Sequence, residues 1–201
     1  MAVPKPGFIK GLSEVHINRV ISYGCAWGTL LENPQAYEEI FEALKAFTPE
    51  LLIRPGYGAP PYRRENSTEI SPASFSRCWS KIMEDRGWGS HRIKSSNQDG
   101  INVFVRHYKH RVALRMLSSD QVINFPSWVL IESPRIVSTG TCDIAVVLTP
   151  MHDEVAPHFS EAKMQFHSFE RALGQLNDLL PLNQKQPFLV IGFSSLETAM
   201  D

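Results

Sequence analysis

The sequence predicts an α/β fold, and three observations carry that prediction. Cys142-Asp-Ile-Ala-Val-Val-Leu-Thr149 is a near-continuous apolar run, the pattern of a central strand covered on both faces. Pro187-Phe-Leu-Val-Ile-Gly192 is a second such run with a helical pattern before it, so 142–193 reads as a strand–helix–strand crossover within one sheet. Two further stretches open with a capping residue followed by proline, Asn33-Pro34 and Ser71-Pro72, each leading into an amphipathic helix.

Taken in order, residues 1–14 hold Pro4, Pro6, Gly7 and Gly11 and read as a flexible lead-in, with a single domain expected over 15–197. His16–Ser22 alternates as a half-buried strand does. The helix opened by Asn33 has Tyr37, Ile40, Phe41 and Leu44 as its apolar stripe, with Glu38, Glu39 and Glu42 facing outward. Residues 54–69, rich in proline and glycine, read as a surface loop whose basic end carries Arg54, Arg63 and Arg64. The helix from Ser71 buries Phe75, Trp79, Ile82 and Met83, and Gly87 stops it. Strands are expected over 101–106 and 111–117, and a third extended segment over 127–131, ahead of Glu132-Ser-Pro-Arg135. Pro150 closes the central strand. A long helix is expected from His158 to Leu180, with Phe159, Ala162, Phe166, Phe169, Leu173, Leu176 and Leu180 at 3–4 spacing, packing on the sheet or pairing with a second copy.

At 201 residues the chain is long enough to bury a substantial core, and 43% hydrophobic with 20% charged residues excludes a disordered chain. The formal net charge of −1 neither advertises nor excludes a nucleic-acid partner, because a local patch matters more than the total. Cys25, Cys78 and Cys142 show no CxxC spacing, which points to a reduced, cytoplasmic setting. No apolar run approaches the roughly 20 residues of a membrane span, and no signal-peptide core is seen, so no membrane partner is expected.

The chain lacks a Gly-rich phosphate loop, HExxH, paired CxxC and GxSxG. His107 and His110 are spaced as metal ligands would be on a helix, but here they flank a strand-to-strand turn without a carboxylate or cysteine beside them. Met151-His-Asp-Glu154 reads as ordinary loop polarity, and Cys142 beside Asp143 as a small core residue without an assignable base. The most distinctive stretch is Arg106–Arg115, with four Lys/Arg and two His in ten residues and no acid between Asp99 and Asp120. Six such side chains cannot all be buried unpaired, since each would cost several kcal/mol. They form either a solvated hairpin end or a phosphate-binding patch.

Several motifs in sequence order resemble the BglII/BstYI-type restriction endonucleases. They are Ser22-Tyr-Gly with Gly28-Thr-Leu-Leu, Ala36-Tyr-Glu-Glu-Ile40, and Ile70-Ser-Pro-Ala with Trp79 and Arg86-Gly-Trp88. Lys109-His-Arg-Val-Ala-Leu114, Cys142–Met151 and Gln186–Gly192 complete the set, which spans roughly 15–195. The resemblance implies a PD-(D/E)xK core, a central mixed sheet flanked by helices, in dimeric enzymes that cut GATC-centred DNA. Such chemistry needs oxygen ligands for Mg²⁺ against the scissile phosphate. The corresponding positions here are Arg106, Arg115 and Leu117, so every expected ligand is missing.

The resemblance therefore implies a DNA-binding protein that has lost catalysis and needs no cofactor. Arg106 and Arg115 would contact phosphate in place of the metal, extended by Lys109, His110, Arg111 and the loop residues Arg63 and Arg64. Homodimerisation through helices including 158–180 is expected from the family. One alternative is an active Mg²⁺-dependent endonuclease with a displaced acid, Asp99 or Asp143. Another is a protein-interaction subunit without nucleic acid.

Overall fold

The computed structural model describes residues 7–10, 17–58, 72–93, 103–117, 125–151, 168–179 and 187–193. Seven strands form one mixed sheet in the order β1-β2-β7-β6-β5-β4-β3. They are β1 (Gly7–Lys10), β2 (Ile17–Tyr23), β3 (Gly89–Ile93), β4 (Val103–Lys109), β5 (Val112–Met116), β6 (Ile144–Pro150) and β7 (Phe188–Phe193). As the apolar run predicts, β6 is central and buried at every residue, parallel to β5 on one side and β7 on the other. Its pairing runs through Pro150, one residue beyond the expected stop. All other neighbours are antiparallel. Residues Gly7–Lys10, within the stretch read as a flexible lead-in, pair with β2 as an edge strand instead.

Alternation along the strands divides the core into two layers. Val112, Leu114, Met116, Ile144, Val146, Leu148, Leu189, Ile191 and Phe193 meet α1 (Ala26–Leu31), α2 (Pro34–Lys45) and α4 (Pro72–Asp85). The short α3 (Pro49–Ile53) joins the same layer through Leu52. On the opposite face Ala145, Val147, Phe188 and Val190 meet Phe125, Trp128, Phe169, Ala172 and Leu176. Asn33 caps α2 by accepting from the Ala36 N–H at 3.2 Å, ahead of Pro34 in the first turn. Gly87, at φ 78°, ends α4 with its N–H bonded to the Glu84 carbonyl.

Two expected elements differ. The segment expected to extend over 127–131 is helical: α5 (Phe125–Ser127), a π-turn (Trp128–Glu132) and α6 (Ser133–Ser138) form one bent rod. Its buried residues, Phe125, Trp128, Val129, Ser133 and Ile136, recur at helical spacing, a period hidden by the short apolar run Val129-Leu-Ile131. Pro134 cannot donate to the carbonyl four residues back and its ring crowds that carbonyl, which favours the wider π-turn just upstream.

The helix expected over 158–180 begins at Phe169 as α7 (Phe169–Asp178), because Ser168 is extended and its hydroxyl accepts from the Arg171 N–H at 3.3 Å. Residues 158–167 lie outside the described residues. From Phe169 to Leu179 the stripe packs on this chain's own sheet, while Phe159, Ala162 and Phe166 of the same stripe lie outside the described residues.

Gly192 of β7 lets α7 approach. A methyl group there would sit 2.6 Å from the Phe169 ring and 2.8 Å from the Met151 sulfur. Gly192→Val should therefore lose about 1–3 kcal/mol of stability by overpacking, measured as a fall in the urea midpoint at unchanged m.

Candidate phosphate-binding cleft

The β4–β5 hairpin turns through His110 and Arg111, both left-handed at φ 50° and 60°. A two-residue turn of this kind matches the twist of the strands but suits Asn-Gly, so a His-Arg pair must be held there. Five hydrogen bonds hold it. The Asn33 side chain donates to the His110 carbonyl at 2.7 Å, and the Asp143 N–H donates to the Arg111 carbonyl at 2.8 Å. Arg111 also grips the Asp143 carboxylate with two hydrogen bonds of 2.8 and 2.7 Å and donates to the Gly140 carbonyl at 2.9 Å.

Beside the turn, Glu39 of α2 accepts from Lys109 Nζ at 2.7 and 2.8 Å and from Trp88 Nε1 at 2.6 Å, and lies 3.1 Å from His110 Nε2. Lys109 donates in addition to the Arg86 carbonyl at 2.8 Å. The expectation that Glu39 faces outward is thus corrected: it is half-buried and turned into the sheet end. Burial pushes its carboxyl upward, but the hydrogen bonds from Lys109, His110 and Trp88 outweigh this and hold it below the usual carboxylate value. Asp143 is likewise lowered, chiefly by the Arg111 hydrogen bonds. Lys109 and Arg111 are therefore each paired with a carboxylate brought from a distant part of the sequence, and His110 shares Glu39 with Lys109.

Arg106 and Arg115 lie at the other end of this ladder. Strand pairing between β4 and β5 runs only from Lys109↔Val112 to His107↔Leu114. Beyond it a cavity of about 210 Å³ opens, lined from β4 by Phe104–His107 and from β5 by Ala113–Met116. Ser76 and Ser80 of α4 line it from one layer, and Trp128 and Ile136 from the other. Arg106 is exposed and, among the described residues, makes no ion pair. Arg115 is half-buried, 3.2 Å from Glu132 through Nη1, with its guanidinium carbon 6.0 Å from the Trp128 ring centroid. Burial and the charge of Arg106 disfavour the charged form of Arg115, while Glu132 supports it. Both expected phosphate ligands thus line one cleft. Leu117, the third family position, is buried against the layer that holds Phe125 and Trp128.

A divalent metal does not fit this donor set. Two guanidinium groups face the position, and the one carboxylate near it among the described residues, Glu132, is engaged by Arg115. No group of three or more His, Cys, Asp or Glu side chains suited to a metal occurs among the described residues. Asp143 sits beside the hairpin turn on Arg111, away from the cleft-lining residues. Asp99, Arg63, Arg64 and residues 152–154 lie outside the described residues. Cys142 is buried and its thiol is pushed up to about 12 by that burial, in keeping with a core residue. His107 is also buried and belongs to the cleft. No helix among the described residues is long and apolar enough to cross a membrane.

Glu39, and the pairing of Glu132 with Arg115, are what reasoning from sequence missed. Glu39 carried a signal, since Trp88 and Lys109 both needed polar partners, but nothing in the sequence says that α2 lies against the hairpin.

No family model and no curated protein matches this sequence. Among solved structures, free BglII aligns with TM-score 0.53 at 20% identity, covering 87% of this chain and 77% of that one. Restriction endonuclease BglII complexed with a DNA 16-mer aligns with TM-score 0.58 at 18% identity, covering 89% and 75%. At these identities the likeness is one of fold: the chain has the BglII-type restriction-endonuclease-like fold that its motifs implied.

Removing Glu39 tests the turn cluster. Glu39→Ala leaves the partly buried Lys109 ammonium without its carboxylate and should cost about 2 kcal/mol at pH 7. Because the folded-state value is lowered, the wild-type advantage is present above the unfolded carboxylate value of 4.5 and disappears as pH falls through the lower folded value. Paired urea titrations at pH 7 and pH 3 should show the gap between the two proteins closing.

Proposed function

We propose that this chain is a DNA-binding protein in which two guanidinium groups take over the position that a metal holds in cleaving members of this fold. The observation that supports it most is the placing of Arg106 and Arg115 along one cleft with no carboxylate on Arg106 among the described residues. A guanidinium offers a planar fork of donors to two phosphate oxygens and stays charged at neutral pH. Such a contact positions the backbone without reading its sequence.

Catalysis has no support in this donor set. Oxygen ligands are missing at Arg106, Arg115 and Leu117, and Asp143 is held by Arg111 at the far end of the hairpin. Lys109, His110 and Arg111 do not enlarge the patch in this reading, since Glu39 engages Lys109 and His110 and Asp143 engages Arg111. Arg63 and Arg64 stay candidates for further phosphate contacts. A twofold dimer on a duplex would use surfaces other than the α7 stripe, which the sheet already covers.

The test is duplex binding across a salt series, with and without EDTA. Binding should persist in EDTA, and Arg106→Ala/Arg115→Ala should reduce the slope of log affinity against log salt by about 2, since each lost phosphate contact removes about 0.9. Unchanged binding by the double variant sinks the proposal. Discrete Mg²⁺-dependent fragments lost in Asp143→Asn would establish the active-nuclease alternative in its place.

A further inference from the structure

The cleft holds more than cations. Ser80 and His107 line it and are 5% and 3% exposed, yet among the described residues the Ser80 hydroxyl has no hydrogen-bond partner and the His107 ring nitrogens have no well-formed one, the Leu114 backbone lying close by. Buried polar atoms are almost always satisfied, so two such residues facing one cavity call for a ligand group. One bridging water does not account for the space, because about 210 Å³ far exceeds the ~15 Å³ that a single water needs.

The chemistry of the lining is graded from rim to floor. Arg106 and Phe104 are exposed, Phe104 at 59%, so a cation and an aromatic ring stand at the rim. Deeper in, Ser80, His107 and Met116 line the α4 side of the cavity, and the flat ring of Trp128 with Ile136 lines the other side. Burial, helped by the charge of Arg106 and opposed by the Leu114 backbone, brings the His107 value down to about 4. At neutral pH its ring is therefore uncharged, with one donor and one acceptor nitrogen, and Ser80 adds a hydroxyl that does both. An uncharged, planar, hydrogen-bonding group suits that floor, and an anion suits the rim.

We propose that the cleft accommodates one whole nucleotide, with its base against Ser80 and His107 and its phosphate on Arg106 and Arg115. This rests on the phosphate contact proposed above and adds the base. Two sources share that chemistry: a free nucleoside monophosphate, or a nucleotide drawn out of a DNA strand. Extrusion puts a base into a pocket lined by apolar and hydrogen-bonding groups, as base-flipping proteins do.

The experiment is calorimetric titration of the full chain with inorganic phosphate, with each of the four deoxynucleoside monophosphates, and with the corresponding nucleosides. At least one monophosphate should bind about tenfold tighter than phosphate or its nucleoside, the worth of roughly one net hydrogen bond. Ser80→Ala, which removes a hydroxyl without a protein partner and should fold normally, should abolish most of that advantage and leave phosphate affinity unchanged. Duplexes carrying 2-aminopurine separate the sources: a rise in its fluorescence on binding identifies a base drawn from a strand, and a flat signal with tight monophosphate binding identifies the free nucleotide.

Monophosphates that bind no tighter than phosphate overturn the inference, as does an advantage untouched by Ser80→Ala. If duplex binding still depends on Arg106 in that case, the base pocket fails and the phosphate contact stands. If monophosphates show the Ser80-dependent advantage while duplex DNA is not bound, the pocket stands and the DNA reading fails.

Discussion

The left-handed pair His110-Arg111 is the constraint on which the rest of this end of the molecule depends. Neither residue is the glycine or asparagine such a turn favours, and strained positions persist only where their surroundings over-determine them. Asn33 and Glu39 reach the turn from α2, and Asp143 reaches it from the start of β6. One helix, one hairpin and the central strand are thereby fixed to each other by polar contacts at a place where the hydrophobic layers end. Asn33 serves twice, capping α2 with its carbonyl oxygen and holding the His110 carbonyl with its amide.

Fixing the turn has a consequence further along the hairpin. The β4–β5 ladder is short, and β5 is committed to β6 through five paired residues while β4 is committed to β3. Past His107 and Leu114 the two strands follow different neighbours, and the cleft lies between them. The sheet thus divides its cations by position. Those at the turn meet carboxylates and stabilise the fold, whereas those past the last rung face the cleft, where a half-buried Arg115 keeps only one carboxylate and Arg106 keeps none among the described residues.

Much of the architecture was legible because its signals are local. The apolar run of β6, the Asn33-Pro34 start of α2 and the Gly87 stop of α4 each act within a few residues, and each is found where expected. The failures are equally specific. Val129, Leu130 and Ile131 look extended in isolation, yet Phe125, Trp128 and Ile136 need a helix to face the sheet together. The stripe reaching back from Phe169 continued smoothly in sequence, but the Ser168 hydroxyl satisfies the first turn of a helix that begins there. Gly7–Lys10 carried little strand signal because an edge strand is held by its neighbour's backbone more than by its own side chains.

Sequence by itself determined that Arg106–Arg115 gathers four Lys/Arg and two His with no acid among them. That composition needs no coordinates. Only the tertiary structure decided which of the clustered cations are matched. Counter-charges are long-range partners, supplied to Lys109 from 70 positions away and to Arg111 from 32, and an acid-free stretch of sequence says nothing about the acids that folding brings beside it. The same limit hid the cavity, because Ser80 on α4 and His107 on β4 come to one space only through the packing of distant elements.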